Sequence, residues 1–232
     1  KLYCRYFKEM KIVFFGNPDF CFHPLMSLYN SEYNLISVVT NTDSKSGRGL
    51  KLSSSFVKQK ALELNVPIIE TDNVNSDKLF NQLNDLNPDL FVVVAFSILP
   101  DRIIDIPKNG SINIHPSLLP KYRGSSPIQY ALLNGDEETG VSIINLNSKI
   151  DSGAILAQKK FSIPNSVNFG YMHEKLGIMG SELLIKVIKD IQTNKSSPII
   201  QDESKKTLAP KIQKEQHKID WTQSADQIHN QI

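Results

Sequence analysis

The chain is poor in cysteine, with only Cys4 and Cys21 among 232 residues. They form no CxxC pair, which argues against a disulfide framework and against a cysteine-ligated zinc site, and fits a reducing compartment. Long apolar runs are missing too. The longest, Leu90-Phe-Val-Val-Val-Ala-Phe96, has strand length, well short of the ~18 residues that a membrane-crossing helix needs. Charge of one sign is lacking: 26 Lys and Arg against 24 Asp and Glu leave a net of +2, too little to argue for a polyanionic partner by itself. There is no GxGxxG after the first apolar run, where Gly16-Asn-Pro-Asp-Phe20 keeps one glycine. No GxxxxGK[ST] phosphate loop and no HExxH occur, and His23, His173, His217 and His229 have no partner at ligand spacing, so no metal site is expected. Residues 1–10 carry basic and aromatic residues but no signal-like apolar stretch. They read either as a targeting remnant or as a segment ahead of a start at Met10.

What is present is ordinary for a globular chain, with 40% hydrophobic and 22% charged residues. Lys11-Ile-Val-Phe-Phe15 reads as a strand, followed by a helix-like stretch to about Asn30 and a second strand over Leu35 to Thr40. Residues 41–52 read as a polar, Gly-containing basic loop. Ser53-Ser-Ser55 offers N-caps for a helix to about Asn65. A short strand at Val66 to Ile69 and a helix over 76–87 come next. Leu90 to Ala95 is wholly apolar, as in a strand covered on both faces. Ser111 to His115 is another strand, then a helix over 127–133, strands at 141–146 and 153–161, and a helix over 168–192. Ser126 and Pro127 suit the start of the 127–133 helix, and Asn134-Gly135 its stop. This alternation predicts an α/β fold, a Rossmann-like doubly wound and mostly parallel sheet. Such a sheet binds ligands beyond the carboxyl ends of its strands. The expected organisation is a main domain over 11–192, a Lys-, Ser-, Pro- and Gln-rich linker over 193–216, and the start of a C-terminal domain over 217–232. Ser224 is placed to cap a helix running to Ile232.

Asn113 and His115 lie two apart in a strand-like run. Period-2 geometry puts both on one face, with Ile112 and Ile114 on the other. Pro116 and Pro120 cut short continued ladder pairing. Asp151, in Lys149-Ile-Asp-Ser-Gly153, follows the strand at 141–146 and can approach a histidine on a neighbouring strand, where a carboxylate fixes its orientation. An amide donor and a protonated imidazole suit an oxyanion built when an amine attacks a carbonyl, with no nucleophilic Ser or Cys and no metal. Each residue also has a plainer reading: a satisfied strand-end histidine, and a turn-forming Asp before Ser-Gly. Periodicity does not bring the three together. Lys45, Arg48 and Lys51, set among glycines and serines, could meet phosphates or simply form a solvated surface loop.

Longer motifs add a family. Asn113-Ile-His115-Pro-Ser-Leu-Leu-Pro120-Lys-Tyr-Arg123-Gly124, with Asn134-Gly-Asp-Glu-Glu-Thr-Gly-Val141 and Ile150-Asp151-Ser-Gly153, resembles the 10-formyltetrahydrofolate-dependent formyltransferases. Within the family, Phe15-Gly-Asn-Pro-Asp-Phe20, Gly47-Arg48-Gly49-Leu-Lys51-Leu52 with Ser55-Phe-Val-Lys58, Arg123-Gly-Ser-Ser-Pro-Ile-Gln129 and Lys218-Ile-Asp-Trp221 are similar to the branch that formylates initiator methionyl-tRNA. The resemblance implies that Asn113, His115 and Asp151 form the catalytic set. It implies that 10-formyltetrahydrofolate lies along Phe96, Ser97, Ile98, Leu99 and Pro100 and the turn before Asp151, with Ser117, Leu118, Leu119 and Pro120 alongside. It also implies that Lys45, Arg48, Lys51 and Arg123 meet the tRNA. The partners implied are initiator methionyl-tRNA and folate, with no membrane and no metal, for a monomer in the bacterial cytoplasm or an organellar matrix. Four departures stand out: Asn17 for the family's Thr, Phe56 for Pro, Pro116 after the histidine, and a loop at 95–100 one residue shorter than the usual A-Y-G-x-I-L-P. The rival branch is a sugar-nucleotide N-formyltransferase with the same folate donor, which shares HxSLLPxYRG.

Overall fold

The computed structural model describes residues 10–46 and 51–232, with backbone alone at 45–46 and 51–52. Its centre is a seven-stranded sheet of order β5-β2-β1-β6-β7-β8-β9. These strands are β1 (Lys11–Gly16), β2 (Asn34–Asn41), β5 (Ile68–Thr71), β6 (Leu90–Val94), β7 (Ser111–His115), β8 (Glu138–Asn145) and β9 (Ile155–Ser162). Pairing is parallel from β5 to β7. The β7–β8 and β8–β9 pairs are antiparallel, so the mostly parallel sheet carries an antiparallel edge.

β1 and β6 lie side by side at the centre, and all of β6 is buried. Continuous apolar sequence is what a strand covered on both faces requires. Ile12, Phe14, Val92, Val94, Ile112 and Ile114 face one layer, formed with α1 (Phe22–Tyr29) and the long α6 (Phe169–Gln192). Val13, Phe15, Phe91 and Val93 face the other, closed by α3 (Asp77–Asp85) and α4 (Asp101–Ile104). Helix starts are capped where the sequence offers a short polar acceptor. Ser55 accepts from the Lys58 N–H at the start of α2 (Phe56–Glu63), Ser76 from Leu79, and Asn168 from Tyr171. Ser126 stands at the N-cap position of α5 (Pro127–Leu133) but makes no side-chain cap bond.

Two elements differ from the sequence reading. The segment 41–52, expected as a loop, contains an antiparallel pair, β3 (Ser44–Ser46) with β4 (Lys51–Ser53). A hairpin satisfies the backbone groups of a polar segment that has no apolar face to bury, and periodicity carries no signal for that. α4 is a single turn after Pro100, too short to show a helical period.

Residues 199–209 lie against the domain. Ile199 and Ile155 exchange backbone bonds of 2.8 and 2.7 Å, Arg123 N–H donates to Thr207 O at 2.9 Å, and Ala209 N–H donates to Arg123 O at 2.7 Å. Gln201 and Ala209 are buried. Further on, Ser224 caps α7 (Ala225–Gln231), as its position in the sequence suggests. Among the described residues no helix is long and apolar enough to cross a membrane.

The topology fixes where a ligand fits. From β1 the chain builds outward through β2 to β5, then returns to β6 on the other side of β1. The order reverses between β1 and β6, and a crevice forms outside their carboxyl ends.

Candidate functional site

A cleft of about 890 Å³ occupies that crevice. Pro18, Asp19 and Phe20 after β1 line it, as do Ala95 to Leu99 after β6 and Asn113 to Pro116 at the end of β7. Asn147, Ile150 and Asp151 close one side. The other side is reached through the antiparallel edge. β9 pairs antiparallel with β8, and β8 with β7, so β9 ends at the same edge as His115 and delivers the start of α6 there. Phe169 and His173 therefore line the cleft as well.

Asn113 is half-buried, between buried Ile112 and Ile114. Its side-chain amide lines the cleft, and no protein hydrogen bond occupies it among the described residues. His115 is held on both sides of its ring. Its Nε2 lies 2.8 Å from Tyr122 O. A carbonyl only accepts, so the network assigns the proton to Nε2. Nδ1 lies 3.6 Å from Asp151 Oδ2, with the two side chains 5% and 14% exposed. That gap is longer than a hydrogen bond. Nδ1 is thus the nitrogen left to act on a bound group, with a carboxylate beside it. Asp151 Oδ2 in turn accepts the Gly124 N–H at 2.8 Å.

Backbone strain gathers around this triad. Asp151 (φ 47°), Tyr122 (φ 64°) and Ala95 (φ 46°) are all in the left-handed region. Asp tolerates it; for Tyr and Ala it costs on the order of 1–3 kcal/mol. Tyr122 is fastened by its phenol, which donates to Asp136 Oδ2 and accepts from Asn134 Nδ2, both at 2.8 Å. Burial pushes the phenol's pKa up, the Asn134 donor opposes this, and Asp136 adds to it. Lys121 donates to the same carboxylate at 2.7 Å. Burial works against the Lys121 charge, but Asp136 outweighs it and the ammonium is held above its ordinary range. The Asn134-Gly-Asp136 motif therefore anchors the residue whose carbonyl anchors His115.

The other residues singled out from the sequence divide. Phe96, Ser97, Ile98 and Leu99 line the cleft. Pro100 does not; it occupies the N-cap position of α4. Ser117, Leu118, Leu119 and Pro120 are not among the lining residues either. Ser117 Oγ donates to Lys121 O at 2.6 Å, and the Leu119 N–H donates to Ser142 Oγ at 3.0 Å. Leu118 lies over Gly140, and the Leu119–Pro120 peptide is cis. This stretch packs into the turn behind His115. Arg123, expected to meet the tRNA, is buried at 4% exposure. Its guanidinium donates to Gln201 and Glu203. Lys45 and Lys51 lie in β3 and β4, and Arg48 lies outside the described residues.

Sequence reasoning missed the α6 side of the cleft. The His173 ring packs against Phe20 at 5.1 Å and Phe169 at 5.4 Å between centroids. Phe20 and His173 are far apart in the chain, and nothing in either local pattern signals their meeting. Among the described residues no cluster of three His, Cys, Asp or Glu is placed to hold a metal ion.

Comparison with known proteins follows the same lines. Residues 10–188 match the formyl transferase family model. A methionyl-tRNA formyltransferase of Listeria welshimeri is 42% identical over 96% of this chain and 71% of its own length. One from Alkaliphilus oremlandii is 38% identical over 96% and 72%. Among solved structures, WlaRD, a sugar 3N-formyl transferase determined in the presence of dTDP and 5-N-formyl-THF, superposes with a TM-score of 0.71 at 25% identity, covering 96% of this chain and 78% of that one.

Proposed function

The chain belongs to the formyl transferase family, and from that premise we propose that it transfers a formyl group from 10-formyltetrahydrofolate to the amino group of initiator methionyl-tRNA. It is a formyltransferase, and folate is its co-substrate. The observation that carries the mechanism is an Asn113 amide with no hydrogen-bond partner among the described residues, on the same strand face as an imidazole whose Nε2 is tied to a carbonyl and whose Nδ1 faces Asp151.

The methionyl amine attacks the formyl carbon and forms the new C–N bond. The carbonyl electron pair moves onto oxygen, giving a tetrahedral oxyanion. The Asn113 amide donates to that oxygen, and His115, on taking a second proton at Nδ1, donates as well, with the Asp151 carboxylate beside it. The attacking nitrogen gives up a proton, and the oxyanion collapses. The bond from carbon to folate N10 then breaks, and N10 takes a proton. Phe96, Ser97, Ile98 and Leu99 form the donor side. Lys45, Arg48 and Lys51 meet the acceptor-stem phosphates as localised positive charge. The catalytic unit is built on residues 11–192, with 199–209 laid against it. The setting is the cytoplasm or an organellar matrix.

The test is product formation by the purified chain with 10-formyltetrahydrofolate and either initiator methionyl-tRNA or a dTDP-linked amino sugar. N-formylmethionyl-tRNA as the preferred product supports the reading. Faster formylation of the amino sugar overturns the acceptor assignment and leaves the family intact.

A further inference from the structure

The strap at 199–209 is joined to the catalytic turn through one side chain. Gln201 is 5% exposed. Its Nε2 donates to Asp151 O at 2.8 Å and to Gly153 O at 2.7 Å. Its Oε1 accepts from Arg123 Nε at 3.0 Å and from Arg123 Nη2 at 2.7 Å. Backbone carbonyls only accept and a guanidinium only donates, so the amide can sit in this orientation alone. Both amide hydrogens and both lone pairs are used, as a buried amide requires. Arg123 closes the network by pairing with Glu203, with Nη2 to Oε1 at 2.7 Å and Nη1 to Oε2 at 3.2 Å. The residue after Arg123 returns to the same place, because the Gly124 N–H donates to the Asp151 carboxylate. Asp151 is thus gripped at its carboxylate by Gly124 and at its carbonyl by Gln201.

Asp151 adopts a left-handed φ of 47°, which a short polar side chain tolerates, and these bonds fix which way its carboxylate points. The turn on its far side is tight, since a Cβ on Gly153 would run into Asn145 O. Nothing in the catalytic step proposed above uses Gln201. A buried side chain spending every polar atom on a catalytic turn and an arginine has a positioning task.

We propose that Gln201 is a positioning residue for formyl transfer, setting the Asp151 carboxylate against His115 Nδ1, and that the segment read as a linker is therefore a working part of the catalytic unit. This rests on the role assigned to Asp151. A misplacement of ~1 Å in such a group can cost ~100-fold in rate.

The variant Gln201→Glu separates the two halves of the network. It keeps an acceptor for Arg123 but puts carboxylate oxygen against the carbonyls of Asp151 and Gly153. Gln201→Met, of similar volume, removes all the bonds. Each is measured beside Asp151→Ala for thermal unfolding, for kcat, and for KM toward both substrates. The expected result is a Gln201→Glu protein that folds, with kcat lowered ~10- to 100-fold and both KM values within about twofold of the unmodified chain. Gln201→Met should lose at least as much kcat. If Gln201→Glu folds and turns over at the unmodified rate while Asp151→Ala is inactive, the positioning role is overturned and the catalytic reading stands. A loss confined to KM overturns it as well. If Asp151→Ala itself turns over fully, the role of Asp151 falls, and this inference with it.

Discussion

Asn113 and His115 share a strand face because side chains alternate along β7, and that much follows from their spacing. What fixes the imidazole is different in kind: the carbonyl of Tyr122, a backbone atom that no residue type announces. The same holds for Asp151, whose nearness to His115 depends on a left-handed turn and on the Gly124 N–H. Residue type offered Asp151 as a partner, the family motifs named it, and its distance required the fold. Two substitutions follow at this scale. Gly124 has φ 126°, and a Cβ there would lie 2.5 Å from Ala209 O. Gly124→Ala should therefore destabilise the chain by on the order of 1–3 kcal/mol and displace the donor to Asp151. Chemical denaturation and kcat, both lowered, are the readouts; an unchanged kcat with reduced stability would leave that bond without catalytic weight. Arg123→Ala should behave as a structural lesion. It leaves the buried Gln201 acceptor unpaired, costing ~1–3 kcal/mol. KM for methionyl-tRNA, measured on folded protein, should stay unchanged, whereas a selective rise would restore the tRNA role that the sequence suggested.

β7, α5 and α6 are legible in the sequence because an apolar period, a Pro at the first helical position and a Gly stop mark them. The strap at 199–209 is illegible for a physical reason. Its attachment is mostly backbone hydrogen bonding plus one buried glutamine, and a Lys-, Ser- and Gln-rich composition looks the same whether the backbone is solvated or paired. The hairpin β3–β4 escaped notice likewise. The strap also carries a pH response. The Arg123 guanidinium holds the Glu203 carboxyl below its ordinary value of 4.5. A depressed carboxyl stabilises the folded form at pH above its unfolded value, and that contribution is lost as pH falls through the lower folded value. Hydrogen exchange at Thr207 and Ala209 should therefore quicken relative to the core strands as pH drops below 4.5, after correction for intrinsic rates. Glu203→Gln should remove that dependence. An identical pH profile in both proteins would show that the Arg123–Glu203 pair does not hold the strap.

At the scale of the whole molecule, an alternating α/β pattern was enough to expect a crevice at the carboxyl ends of a parallel sheet. It did not reveal the antiparallel β8 and β9, which bring the start of α6 to the same edge and give the cleft its aromatic side. The net charge of +2 says little about a nucleic-acid partner; the basic residues at 45, 48 and 51 bear that burden. Arg48→Ala should raise KM for methionyl-tRNA, lower the salt slope of tRNA binding by ~1, and spare folate binding. An unchanged slope would return Arg48 to an ordinary solvated charge. The most direct measurement is single-turnover formylation of initiator methionyl-tRNA by Asn113→Ala, with the affinities for folate and tRNA determined alongside. Loss of one oxyanion donor should slow transfer ~100- to 1000-fold with both affinities retained. Transfer at the unmodified rate would contradict the assignment of the cleft.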